Sequence, residues 1–242
     1  RLFGGGCLML EVKNVNVSYG RIQVVTDFSF SVGEEAVGLF GPNGAGKTTL
    51  INSIIGLVKP TSGEILFEGE SLIPYETHTI IRKGISVVPQ DGELFPIMNV
   101  LENLKIGAAY IKEARDRIEE RLDFVFKIFP ILKERAYQLA GTMSGGQQRM
   151  LAVGRALMAV PRLLILDEPS VGLQPSLVSE LFEKLLAIKS EGVSMILSEQ
   201  NVRQGLKVID RGYVIENGTL AIESTAEDLM HNEYVKRSYL GL

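Results

Sequence analysis

Gly41-Pro42-Asn43-Gly44-Ala45-Gly46-Lys47-Thr48-Thr49 decides how the rest of this chain reads. Ahead of it stands Ala36-Val37-Gly38-Leu39-Phe40, apolar throughout, as expected of a strand covered on both faces. Behind it a helix is expected from about Gly46 to Gly56. A glycine-rich turn between a buried strand and a helix presents successive backbone N–H groups that can curl around phosphate oxygens. The helix N-terminus adds attraction for negative charge. The spacing G-x-x-x-x-G-K-[ST] assigns Lys47 to the β- and γ-phosphates of a nucleotide and the Thr48 hydroxyl to Mg²⁺.

A phosphate loop of this kind needs carboxylates to hold the metal and to polarise the attacking water. Leu163-Leu164-Ile165-Leu166-Asp167-Glu168 supplies them at the C-terminal end of a second apolar strand, the end at which open α/β sheets bind ligands. Asp167 is expected to hold Mg²⁺ through water, and Glu168 to polarise the nucleophile. Between these two elements lies Met143-Ser144-Gly145-Gly146-Gln147-Gln148-Arg149. Ser144 and Gln147 form an S-x-x-Q capping box, so a helix starts there, its first amides covered only by glycines. That is a second anion-binding feature in one chain, which makes sense if each serves a different nucleotide in a dimer.

Outward from these motifs, residues 10–18 and 24–32 alternate apolar and polar side chains, the mark of half-exposed antiparallel strands. An edge strand is expected over 65–68 and a further strand over 86–88. An amphipathic helix is expected over 113–129, another from Ser144 to about Val160, and others over 177–190 and 202–208. A strand over 194–197 and a hairpin turning at Glu216-Asn217-Gly218 complete the pattern. Alternating strands and helices imply an α/β fold with a mainly parallel core sheet, to which an antiparallel β part and a helical part are appended. Residues 1–8 carry no such pattern and read as an upstream remnant, with Met9 as the start of a single domain over 9–242. A helical subdomain is expected at about 91–160.

The bulk properties agree. The chain has 242 residues, 45% hydrophobic and 22% charged, with a net charge of −4, which argues against a nucleic-acid surface. No apolar run approaches the roughly 20 residues of a membrane-spanning helix, so work at a membrane requires another chain to supply the span. The single cysteine, Cys7, excludes an intramolecular disulfide and a cysteine-based metal site. His78 and His231 stand in polar surroundings and read as surface residues.

Taken together, the phosphate loop, Ser144-Gly145-Gly146-Gln147 and the strand ending in Asp167-Glu168 resemble, in that order, the nucleotide-binding subunits of ABC transporters over essentially all of 10–242. The resemblance implies a P-loop ATPase that binds ATP with Mg²⁺ and packs head to tail as a dimer. In such a dimer Ser144, Gly145, Gly146 and Gln147 of one copy close over ATP held by Gly41, Pro42, Asn43, Gly44, Ala45, Gly46, Lys47, Thr48 and Thr49 of the other. By the same resemblance Tyr19 stacks on adenine and Gln90 senses Mg²⁺ and the attacking water. Gln200 stands at the switch where most members carry histidine, and Gln174 where many carry aspartate. A glutamine can donate a hydrogen bond to phosphate but cannot be a base, which concentrates the chemistry on Glu168. Asp91-Gly92-Glu93 reads either as a solvated turn or as part of the surface that grips a membrane subunit.

Ser198-Glu199-Gln200-Asn201, Gly154-Arg155-Ala156-Leu157-Met158, Asp210-Arg211-Gly212-Tyr213-Val214 and the tail from Val235 to Gly241 narrow the resemblance to importers of branched-chain amino acids. Val88-Pro89-Gln90 and Gly172-Leu173-Gln174-Pro175-Ser176 are similar to the related urea and amide type. That implies integral-membrane permease subunits, a second ATP-binding subunit, identical or related, and indirectly a periplasmic-type binding protein, with this chain peripheral on the cytoplasmic face. An exporter subunit of the lipopolysaccharide type and a non-transport ABC ATPase are the competing readings. The interval from Gly46 to Ser144 is too short for the long coiled coil of the repair members. Deleting residues 1–8 is expected to leave the melting temperature and the ATPase rate unchanged, and a marked loss of either would show that the segment packs.

Overall fold

The computed structural model describes residues 8–240. The expectation for residues 1–8 therefore lies, as far as Cys7, outside the described residues, as does Gly241 of the tail. In chain order the elements are β1 (Leu10–Tyr19), β2 (Ile22–Val32), β3 (Ala36–Phe40), α1 (Lys47–Ile54), β4 (Ser62–Phe67), β5 (Glu70–Ser71), α2 (Thr77–Arg82) and β6 (Ile85–Val88). Helices α3 (Val100–Ala108), α4 (Lys112–Asp116), α5 (Ile118–Ile128), α6 (Pro130–Glu134) and α7 (Gly145–Met158) follow. Then come β7 (Leu163–Asp167), α8 (Pro175–Ser190), β8 (Ser194–Glu199), α9 (Val202–Gly205), β9 (Arg211–Glu216), β10 (Thr219–Thr225) and α10 (Ala226–His231).

Two sheets result. One has the order β2-β1-β4-β5 and is antiparallel throughout. The other has the order β10-β9-β3-β8-β7-β6; its five strands from β9 to β6 run parallel, and β10 turns back against β9. The parallel strands read as unbroken apolar runs because both faces of their sheet are covered. Successive residues of β7 enter different cores: Leu163 and Ile165 pack with β1, β2 and α1, whereas Leu164 and Leu166 pack with α7 and α8. This period-2 division places the antiparallel sheet and α1 on one face and the helical part on the other.

Phe40, the last residue of β3, is fully buried. Its ring lies against Gly38, Gly205 and Gly212, at each of which a Cβ would fall within 3.0 Å of it. Three glycines from three elements thus make room for one aromatic ring immediately before the phosphate loop.

The structure differs from the sequence expectations at three elements. The segment 113–129 is broken at Arg117, whose φ of −119° and ψ of 30° end α4, while its guanidinium binds Glu120 in the first turn of α5. The break turns the two pieces inward separately, so that Ala114 and Leu122 are both buried. The strand around 65–68 is not an edge, because the two-residue β5 covers its outer side. The helix expected over 202–208 has only the four residues of α9.

Gly205→Ala separates two opposing effects. Helix propensity alone would stabilise by up to about 1 kcal/mol, but the new methyl would sit 2.5 Å from the Phe40 ring. Overpacking of this kind costs about 1–3 kcal/mol, so a net destabilisation is expected in urea unfolding. An unchanged or higher midpoint would show that the ring moves aside freely.

Candidate active site

The candidate site forms where β3, β8 and β7 end side by side. Phe40 is in register with Glu199, and Asp167 with Ser198, so the segments after all three strands leave the same edge of the sheet. The loop after β3 is tight: a Cβ on Gly41 would lie 2.3 Å from the Ile215 carbonyl oxygen, which admits only glycine there. Gly46 enters α1 at φ 107°, a conformation that L side chains rarely adopt. With neither residue able to carry a side chain, the loop wraps Lys47 closely. Lys47 Nζ donates to the carbonyls of Gly41 and Pro42 at 2.8 and 3.0 Å and pairs with Glu168 Oε1 at 3.0 Å.

Lys47 and Glu168 are 3% and 4% exposed, so this is a buried ion pair. Glu168 takes φ 45°, the left-handed region, which costs a non-glycine residue about 1–3 kcal/mol and needs support from its surroundings. Its other oxygen accepts from Gln200 Nε2 at 2.8 Å, and the same amide nitrogen reaches Asn43 Oδ1 in the phosphate loop. A cleft of about 220 Å³ opens over this cluster, lined by Val24, Asn43, Gly44, Gly46, Lys47, Thr48, Thr49, Gln90 and Glu168. Asp167 lies beside it, 3% exposed, and its Oδ1 has no hydrogen-bond partner. Burial pushes the Asp167 carboxyl above the ordinary aspartate range. A buried, unpartnered carboxylate oxygen beside an exposed Thr48 hydroxyl fits a divalent cation, which would relieve the cost of burying that charge.

The structure brings Lys47, Thr48, Gln90, Glu168 and Gln200 to one place, with Asp167 adjacent. The rest of the phosphate loop is there too, but Tyr19 and the capping residues Ser144, Gly145, Gly146 and Gln147 are not. Tyr19 is 48% exposed at the end of β1 and is not among the residues that line the cleft. Ser144 caps α7 through the expected box, with Gln147 N to Ser144 Oγ at 3.4 Å and Ser144 N to Gln147 Oε1 at 3.2 Å. This cap faces a second cleft of about 380 Å³ lined by Gly145, Gln148, Arg149, residues 91–94 and residues 171–173 among others. Gly145 is open to solvent, but Gly146 has a packing role, since a Cβ there would meet Leu177 at 2.8 Å.

The family described as ABC transporter matches residues 25–171, a span that contains the phosphate loop, the capped helix and both carboxylates. The chain belongs to the ABC transporter family. It is 45% identical to the high-affinity branched-chain amino acid transport ATP-binding protein BraG of Pseudomonas aeruginosa, over 96% of this chain and 100% of BraG. It is 35% identical to the lipopolysaccharide export system ATP-binding protein LptB of Haemophilus influenzae, over 96% and 97%. Among solved structures it is similar to the ATP-binding cassette MJ1267 in its ADP conformation, at a TM-score of 0.82, 30% identity, and 97% and 99% coverage. This ABC ATPase is thus an ATP-binding transporter subunit, and its ATP hydrolysis is coupled to transport.

Three residues of this ABC ATPase escape motif reading. Arg149 and Arg155 on α7 grip the backbone on either side of Gln90. Arg149 donates to the Pro89 carbonyl at 3.3 Å, and Arg155 to those of Gly92 and Glu93 at 3.0 and 2.7 Å. These contacts hold Gly92 and Glu93 against the helical part by their backbone, while the side chains of Asp91 and Glu93 stay exposed. Glu199 is 0% exposed, and burial raises its carboxyl although Ser170 and the Asn201 N–H bond to it. The only sequence signal for it is a charge at the end of an apolar run.

Asp167 has a consequence for stability. Its folded-state pKa is raised, so just above the ordinary aspartate range the folded chain keeps a proton that the unfolded chain has released. Stability falls as pH rises through that window, and the penalty is complete at neutral pH. Asp167→Asn removes it, so the nucleotide-free variant should melt higher than the wild type at pH 7–8. The difference should vanish below about pH 4, where both states hold the proton. A variant melting lower at neutral pH would contradict this account.

Proposed function

We propose that this chain hydrolyses ATP for an importer of branched-chain or other hydrophobic amino acids, or of amides, at the cytoplasmic face of the membrane. The observation that carries the reading is the 45% identity to BraG, which extends over the whole length of that protein. Among the described residues no helix is long and apolar enough to cross a membrane, so integral-membrane permease subunits supply the pathway. A second ATP-binding subunit completes the dimer and a binding protein delivers the substrate. The chain would serve as one ABC ATPase domain over 9–242, with the helical subdomain at about 91–160. The 35% identity to LptB keeps an exporter as the second reading.

In the proposed reaction the phosphate loop binds the nucleotide, and its phosphates offer Lys47 a stronger partner than the carbonyls of Gly41 and Pro42. Asp167, Thr48 and Gln90 would hold magnesium, whose bound charge offsets the charge on the β- and γ-phosphates. Glu168, aimed by Gln200, accepts a proton from water as the water oxygen bonds to the γ-phosphorus. The bond to the β–γ bridging oxygen breaks, leaving ADP and phosphate. Gln200 donates a hydrogen bond and takes no proton. Tyr19 would stack on adenine once nucleotide is present. Ser144, Gly145, Gly146 and Gln147 would close over the nucleotide of the partner copy.

Two experiments test this reading. Glu168→Gln should bind Mg-ATP normally and lose hydrolysis by about 10²–10⁴-fold, the scale of a positioned proton acceptor. Near-wild-type turnover would move that role elsewhere. Deleting the gene should abolish uptake of radiolabelled leucine by cells, with restoration by the wild type and not by Glu168→Gln. Normal uptake combined with an envelope defect would favour the exporter.

A further inference from the structure

Glu199 is a fully buried carboxylate that the proposed chemistry leaves without a task. It stands at the end of β8, immediately before Gln200. Its two oxygens both turn to Ser170 on the neighbouring connection: Oε1 accepts from the Ser170 N–H at 3.0 Å, and Oε2 from the Ser170 hydroxyl at 2.8 Å. The Asn201 N–H approaches Oε2 at 3.4 Å. The nearby charges are the Glu168 carboxylate, which repels it, and the Arg149 guanidinium, which attracts it.

Ser170 lies two residues beyond Glu168, and Glu168 holds its left-handed backbone only if both sides of it are fixed. On one side the Glu168 N–H donates to the Ser198 carbonyl at 2.9 Å. On the other, the turn closed by Val171 N–H to the Glu168 carbonyl at 3.1 Å contains Ser170, which Glu199 grips by both backbone and side chain. We infer that Glu199 is a positioning residue: through Ser170 it fixes the Glu168 backbone and so aims that carboxylate at the water. The end of β8 then controls Glu168 twice, through the Gln200 amide at its side chain and through Glu199 at its main chain. This places the residue next to the switch glutamine, rather than that glutamine alone, in charge of the proton acceptor's geometry.

The inference rests on Glu168 acting on the water, and Glu168→Gln tests that assignment separately. Steady-state ATPase kinetics, Mg-ATP affinity and melting temperature are measured for Glu199→Ala, Glu199→Gln, Ser170→Ala and the double Ala variant. A misaimed acceptor lowers kcat and spares binding. Glu199→Ala should therefore lose about 10–100-fold in kcat, with KM and Mg-ATP affinity held within about twofold. Glu199→Gln, which still accepts from the Ser170 N–H and can donate to its hydroxyl, should recover to within about threefold of wild type. Ser170→Ala keeps the backbone donor and should lose about 3–10-fold, and the double variant should be no slower than Glu199→Ala, because the two groups act as one contact. A wild-type kcat in Glu199→Ala beside an inactive Glu168→Gln would overturn the tether alone. So would losses in Glu199→Ala and Ser170→Ala that multiply, or that fall on KM. If Glu199→Ala does not fold, a wild-type kcat in Ser170→Ala is the overturning result.

Discussion

Lys47, Glu168 and Gln200 are far apart in sequence, and each is short of what it needs alone. Lys47 is a buried cation, Glu168 a buried anion on an unfavourable backbone, and Gln200 a side chain at the end of a strand. What brings them into contact is the parallel pairing of β8 with β3 on one side and with β7 on the other. Parallel neighbours end at the same edge, so a phosphate loop, a carboxylate pair and a switch glutamine follow three adjacent strands and must meet. The 3.0 Å ion pair between Lys47 and Glu168 is the product of that pairing.

Because the pair is buried, its electrostatics are conditional. Two opposite charges removed from water offset one another only while they stay close and their remaining hydrogen-bonding capacity is met. Gly41 and Pro42 meet it for the lysine, and Gln200 for the carboxylate. Asp167, a neighbour with one oxygen unpaired, is compensated only in part: Thr48, Ser198 and the Lys47 charge favour its ionised form, but burial outweighs them. The site thus holds one satisfied pair and one incompletely satisfied carboxylate, an arrangement suited to a ligand that brings both phosphate and a cation.

The rest of the fold serves that edge of the sheet. The antiparallel sheet and α1 cover one face and the helical part covers the other, so the strand ends are the place where polar groups reach solvent. The arginines of α7 hold the backbone on either side of Gln90 against the helical part, which joins the end of β6 to the helix that Ser144 caps. A displacement of that backbone is therefore felt at α7.

Much of this was legible in the sequence because it is local. A phosphate loop needs glycines at set intervals whatever surrounds it, a helix start needs a cap, and a doubly covered strand needs an unbroken apolar run. Each of these is satisfied within some ten residues, and each occurs where the sequence places it. The boundaries that differed, at Arg117 and after Gly205, are those where packing overrides periodicity. The contacts of Glu199 with Ser170, of Gln200 with Asn43, and of the α7 arginines with main-chain carbonyls had no sequence signature. They join positions 29 to 157 residues apart. A carboxylate at the end of an apolar run reads the same whether it faces water or grips a serine, and only the connection after the neighbouring strand, brought alongside by the tertiary fold, decides which it does.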